Sequence, residues 1–162
     1  MGQIVTELSP SARRVQDAIL SAGLECSVVE LPASTRTAQE AADAVGCSVG
    51  QIVKSLVFRG KQSGKGIFVA ASGANRVNEK RLKEYTGEGI EKASPEFVRE
   101  ITGFAIGGVS PVGHLQPIES YIDEDLLGYT ELWAAAGTPN AVFKLAPSEL
   151  TLLTAGRVVS IA

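Results

Sequence analysis

The sequence predicts an α/β domain built on a mixed, strongly curved sheet with short helices packed around it. Three observations carry the prediction. Seven to eight runs of β-forming residues are interspersed with four or five short helical patterns. Two of the runs, 52–59 and 67–72, are joined by the glycine- and lysine-rich turn Gly60 to Gly66, the mark of an antiparallel hairpin. Other runs are separated by helices, which brings in parallel neighbours. At 162 residues the chain is long enough for one domain with a real core, so 1–162 reads as a single unit.

Each element has a local cause. Ser9 is an N-cap with Pro10 at the first helical position; Val15, Ala18, Ile19 and Ala22 keep helical spacing, and Gly23 stops the helix. Cys26 to Leu31 reads as a strand that ends at Pro32. Thr37-Ala38-Gln39-Glu40 is a capping box that opens an alanine-rich helix ending at Gly46. Ser34, Thr35 and Arg36 lie in the polar loop before it and can line a cleft. Gln51 to Arg59 is a strand of strong β-formers. Asn78 caps a helix through about Tyr85, Ile90 to Ala93 is a short strand, and Ser94-Pro95 starts a helix that stops at Gly103. Phe104 to Ile106 reads as a short buried strand. Ser120 to Asp123 is a strand, Asp123 to Leu127 one helical turn, and Thr130 to Ala136 a strand around Trp133. Gly137-Thr138-Pro139-Asn140 turns the chain into the strand Ala141 to Leu145. Pro147 opens a last helix through Leu153, and Arg157 to Ile161 is the closing strand.

Apolar residues make up 44% of the chain and charged residues 20%, the balance of a soluble globular domain. No run of about 18 apolar residues occurs, so no membrane span is expected. Met1 to Pro10 has neither a basic n-region nor an apolar h-region, so no signal peptide is expected. Cys26 and Cys47 fit no metal or redox spacing and are expected to be reduced, partly buried thiols in a cytoplasmic protein. The net charge of −3 argues against broad coating of a nucleic acid. It hides an asymmetry, however. Residues 54–92 hold nine Lys/Arg and four Glu, a local +5, while the remainder holds six and fourteen acidic residues, a local −8. The basic segment, with Lys80, Arg81 and Lys83 on one predicted helix, suits either one end of a polyanion or a solvated helix face.

Two stretches carry candidate chemistry. In Thr102 to His114, Gly107, Gly108 and Gly113 bracket Pro111 and end on the only histidine. Glycines leave backbone N–H groups open to another molecule, and Pro111 stiffens the bend. Such a loop suits cradling a carbonyl, ester or phosphate, and equally suits a tight turn. In the second, period two puts Ile52, Lys54, Leu56 and Phe58 on one strand face. A lysine among apolar neighbours either snorkels to water or aims its ammonium into a pocket to hold an anion. Gly-x-Ser-x-Gly, Walker, Rossmann and metal-ligand patterns are all missing, so no metal or cofactor is expected. An enzyme of this composition would rely on positioning and oxyanion stabilisation, which hydrolysis of an activated ester permits.

Gln51-Ile52-Val53-Lys54-Ser55-Leu56, the run Thr102 to Gly113 and Leu145-Ala146-Pro147-Ser148-Glu149-Leu150 occur together and in order. On these residues the chain resembles the YbaK family of aminoacyl-tRNA deacylases, which is similar to the editing domain inserted in bacterial prolyl-tRNA synthetases. The resemblance implies a barrel-like mixed sheet and a freestanding deacylase, acting in the cytoplasm on the acceptor end of a mischarged tRNA, with a synthetase as a further partner. It implies that Lys54 holds a phosphate of the terminal nucleotides, and that Gly107, Gly108 and the loop through Val109, Ser110 and Pro111 bind the aminoacyl carbonyl. Thr35, Ser55, Gly113, His114, Gly137 and Asn140 complete the expected substrate-binding set, and Lys80, Arg81 and Lys83 the tRNA contacts. Attack would come from a terminal ribose hydroxyl, a side-chain thiol or a positioned water. Relatives often carry an ionisable group where Val142 falls here, so the Gly137–Phe143 segment departs from the pattern. A binding module without turnover is the alternative. Val53, Phe58, Ala105 and Trp133 are candidate walls of the pocket.

Overall fold

A computed structural model describes residues 8–162. Residues 1–7 of the Met1–Pro10 segment, read above as lacking a leader, lie outside it. Five helices form: α1 (Pro10–Ser21), α2 (Ala38–Val45), α3 (Glu79–Thr86), α4 (Pro95–Thr102) and α5 (Pro147–Thr154). Four begin at the caps the sequence marks. The side chains of Ser9, Thr37, Asn78 and Ser94 accept N–H bonds from the first turns of α1 to α4. The strands are β1 (Val28–Glu30), β2 (Ile52–Gly60), β3 (Gly66–Ser72), β4 (Ile90–Lys92), β5 (Glu119–Asp123), β6 (Leu132–Ala135), β7 (Ala141–Leu145) and β8 (Arg157–Val159).

They join one mixed sheet in the order β1-β7-β6-β2-β3-β5-β8, with β4 added on β2. The β2–β3 hairpin is antiparallel with Val53 opposite Ser72, whereas β2–β6, β3–β5 and β5–β8 are parallel. β3 lies between β2 and β5 and is buried along its length. Its alternation splits the core. Phe68 and Ala70 pack with Val15, Ile19, Phe104, Phe143 and Leu150 on one side. Ile67, Val69 and Ala71 pack with Phe58, Leu82 and Tyr121 on the other.

One element differs from the sequence expectation. Phe104 to Ile106 is not a strand. Gly103 closes α4 with φ 81°, its N–H bonded to Arg99 O, and a turn begins two residues on, with Gly108 N–H donating to Ala105 O at 3.0 Å. Ala105 and Ile106 lie inside that turn, so no extended run is left to pair with a neighbour. Phe104 is buried under the Arg14 guanidinium, 4.1 Å from the ring centroid, while Ile106 is 55% exposed.

Candidate active site

β2 is the strand the site is built on. Its outer edge is shared by two short partners. β6 pairs with it at Ile52 and Val53, and β4 from Phe58 to Gly60. The edge between them is open, and a cleft occupies it. The two halves of the cleft share Lys54, Ser55, Leu56, Ile106, Gly107 and Val109. The half beside α2, about 390 Å³, is walled by Thr35, Arg36, Ile52, Trp133 and Val142. The half beside α3, about 610 Å³, adds Phe58, Arg76, Glu79, Lys92 and Val98. Among the described residues, no carboxylate, imidazole or thiol lines the first half, and Glu79 is the single carboxylate on the second.

Lys54 is half-buried in this cleft, and its Nζ donates to the Asn75 carbonyl at the start of the β3–α3 loop. That loop is itself anchored. Asn75 Nδ2 donates to Asp123 Oδ2 at 2.9 Å and to Asp125 Oδ2 at 2.7 Å, and Asp123 also accepts the Ser72 N–H at 3.0 Å. Burial pushes the Lys54 ammonium below its ordinary pKa; the nearby Arg76 adds to this and Asp123 opposes it.

The glycine loop lines the same cleft as Lys54. Gly107 and Val109 line both halves, and their N–H groups have no acceptor among the described residues. The loop is held rigidly from behind. Arg14 of α1 donates to Thr102 O at 2.8 Å and to Gly113 O at 3.1 Å, fixing both ends. In the middle, Gly137 N–H donates to Gly108 O at 2.9 Å. A Cβ on Gly108 would lie 2.9 Å from the Thr138 backbone, so only glycine permits this approach. Preorganised amides of this kind can stabilise a carbonyl oxygen as it gains charge.

Of the expected site residues, Lys54, Ser55, Gly107, Val109 and Thr35 meet at the cleft. Thr35 also anchors its own loop, its N–H and hydroxyl both donating to Pro139 O. The others are placed elsewhere and have structural work. Gly108 and Gly137 form the seam just described. Ser110 is fully buried and its Oγ accepts the Val112 N–H. Pro111, Gly113 and His114 line a separate hollow with Pro117, Ile118 and Leu153. The His114 ring lies 5.1 Å from the Phe68 ring, and its Nε2–H donates to Ser110 O at 2.7 Å, which defines the tautomer. Burial depresses its pKa, the Ser110 carbonyl opposes this and Arg14 adds to it. Asn140 ties the β6–β7 turn to Leu31 O at 2.8 Å. Lys80, Arg81 and Lys83 are exposed on α3 outside the cleft, and Arg81 donates to Ser160 Oγ.

Arg36, Ile106, Arg76 and Lys92 line the cleft without having been singled out as site residues. Arg36 carried a signal, its place beside Thr35 in a polar loop. Its side chain lies across Gly107, where a Cβ would be 3.0 Å from Arg36 Cγ. Arg76 and Lys92 carried only their membership of the basic 54–92 segment, because the sheet alone brings them to one mouth.

Lys54 and the bare Gly107 and Val109 loop amides thus line one cleft in a split sheet. The chain belongs to the aminoacyl-tRNA editing domain family, whose model matches residues 32–153. A solved structure described as "Crystal structure of a putative trans-editing enzyme for prolyl tRNA synthetase" is 56% identical, with a TM-score of 0.90 over 96% of this chain and 98% of that one. The uncharacterized protein YwhH of Bacillus subtilis is 34% identical over 134 residues, 83% of this chain and 85% of its own length. The "Putative Cys-tRNA(Pro)/Cys-tRNA(Cys) deacylase EbsC" of Enterococcus faecalis is 28% identical over 126 residues, 77% of this chain and 76% of that protein. A proline–tRNA ligase from Thermosipho melanesiensis shares 36% identity over 90 residues, 55% of this chain and 15% of the ligase.

Proposed function

We propose that this chain is an aminoacyl-tRNA deacylase that acts in trans in the cytoplasm, hydrolysing the ester of a wrong amino acid on a tRNA for proline. One observation carries the reading: the Lys54 side chain and the free Gly107 and Val109 amides line one cleft. Lys54, with Arg76 and Lys92 at the same mouth, suits a phosphate of the terminal nucleotides. The apolar α2 half suits the amino-acid side chain. The ester carbonyl between them accepts the loop N–H groups, and removing one such donor typically costs about 10²–10³ in rate. Water, or a hydroxyl or thiol of the substrate, attacks the carbonyl carbon. When water attacks, the bond to the ribose oxygen breaks, that oxygen takes a proton, and free amino acid and intact tRNA leave. No protein nucleophile is required, in keeping with the side chains that line the cleft.

The test is release of amino acid from cysteinyl-, alanyl- and seryl-tRNA for proline. The wild-type protein is expected to turn over repeatedly on at least one of them, and Lys54→Ala to abolish turnover. A panel left intact at high protein concentration overturns the reading. A second reading, a module that binds tRNA ends for a prolyl-tRNA synthetase without hydrolysis, draws on the neutral Val142 wall; rapid multiple turnover excludes it.

A further inference from the structure

The open edge of β2 has a chemistry of its own. In the β2–β3 hairpin the hydrogen-bonded pairs are those of even β2 residues, because Gly60 N–H donates to Lys65 O and Ile52 O accepts the Gly73 N–H. Odd residues therefore direct N–H and C=O to the other edge. Val57 O accepts the Ala93 N–H there, and Val53 pairs with β6. Ser55 lies between these two contacts, where β6 has stopped and β4 has not begun, so its N–H and C=O face the cleft unpaired. Ala135 is in the same position on β6. Ala136 N–H donates to Ala141 O, so even residues face β7 and the Ala135 carbonyl faces the gap. The Ser55 hydroxyl is also shut off from solvent with no partner, the one such side-chain atom among the described residues. Unpaired buried polar groups are costly, and they mark places where a ligand completes the bonding.

We propose that Ser55 and the Ala135 carbonyl read the α-amino group of the acyl moiety, which enters the gap as one residue of a missing strand and donates to the Ser55 and Ala135 carbonyls, with the Ser55 hydroxyl as a further partner. The proposal rests on the deacylase reading and adds what that reading lacks, a feature selecting α-amino acyl groups over other acyl groups. The surroundings agree. Lys54 and Arg36 are the charged groups lining the α2 half, and no carboxylate lines it to form an ion pair with an amine. Neutral acceptors remain, the hydroxyls of Thr35, Thr37 and Ser55 and, at the strand gap, the two backbone carbonyls. Both carbonyls belong to backbone, so recognition of the amine by them does not depend on which side chain meets Ile52, Trp133 and Val142.

The experiment measures binding, not hydrolysis. The probes are 3′-deoxy-3′-(L-alanylamino)adenosine and its 3′-propionylamino counterpart, which lacks the amine; the amide links of both resist deacylation. Calorimetry on the full chain is expected to show at least tenfold tighter binding of the alanyl compound. Ser55→Ala, which leaves both carbonyls in place, is expected to lose only the hydroxyl's share of that preference, a few-fold, while keeping the affinity for the propionyl compound. Because Ser55→Ala removes an unpaired buried hydroxyl, its melting temperature is expected to equal or exceed wild type, which a purely structural serine would not show. Equal affinity of the two probes, absence of binding by both, or an equal loss for both in Ser55→Ala overturns the proposal. Intact tRNA esters in the deacylation assay would count against the deacylase reading alone, since the binding preference is read separately.

Discussion

His114 is the residue whose role changes most between sequence and structure. As the only histidine, ending the glycine loop, it is expected from the family resemblance among the substrate-binding residues. In the folded chain its ring is packed between Phe68 and Phe104 with its Nε2–H donated to Ser110 O. Its folded pKa is depressed chiefly by burial, so the unfolded chain takes up the proton at a higher pH than the folded one. The contribution to stability is full above the ordinary histidine value and is lost as pH falls through that value toward the folded one. Thermal melts are expected to show Tm declining from neutral pH toward pH ~5, and His114→Gln, which keeps a donor for Ser110 O, to show a shallower decline. Parallel curves for the two proteins would refute the assignment. Lys54 lines the cleft, and the strand face it occupies was legible because period two sets that face independent of what packs on it.

At the scale of elements, the loop from Gly103 to Gly113 acts as one unit because it is pinned at three points. Arg14 holds both ends, and the Gly108–Gly137 seam holds the centre. Gly107 and Gly108 look alike in sequence and do different jobs. Gly107 lines the cleft with φ 96°, and Gly108 lies against the Thr138 backbone behind it. Gly108→Ala forces two backbone segments apart and is expected to destabilise the protein by about 1–3 kcal/mol, the usual range for overpacking. Deacylation should fall with it, because the Gly107 and Val109 amides shift from their positions. Denaturant melts and single-turnover rates check this; wild-type stability together with wild-type rate would show that the seam is dispensable. The strand expected at Phe104–Ile106 failed for the same reason that the loop works: the chain turns there, with Ala105 and Ile106 inside the bend that the Gly108 N–H closes.

Over the whole molecule, the charge asymmetry seen in the sequence maps on to more than one surface. Arg76 and Lys92 reach the mouth of the cleft, whereas Lys80, Arg81 and Lys83 form an exposed face of α3 outside it. If that face guides the acceptor stem, reversing the three charges weakens tRNA binding and flattens its salt dependence, while hydrolysis of a minimal aminoacyl ester is unchanged. Filter binding at two salt concentrations decides it; unchanged tRNA affinity makes α3 a solvated helix face.

Helix caps, the β2–β3 hairpin, the strand lysine and the bend at Gly107 were all determined by the sequence alone, because each depends on residues within a few positions of one another. The tertiary structure alone decided which side of the loop faces the cleft, that Arg36, Arg76 and Lys92 surround it, and that β6 and β4 leave Ser55 unpaired between them. Those facts depend on where strands far apart in the chain begin and end beside β2, and sheet register is a property of the partners jointly, which neither strand's residues encode by themselves.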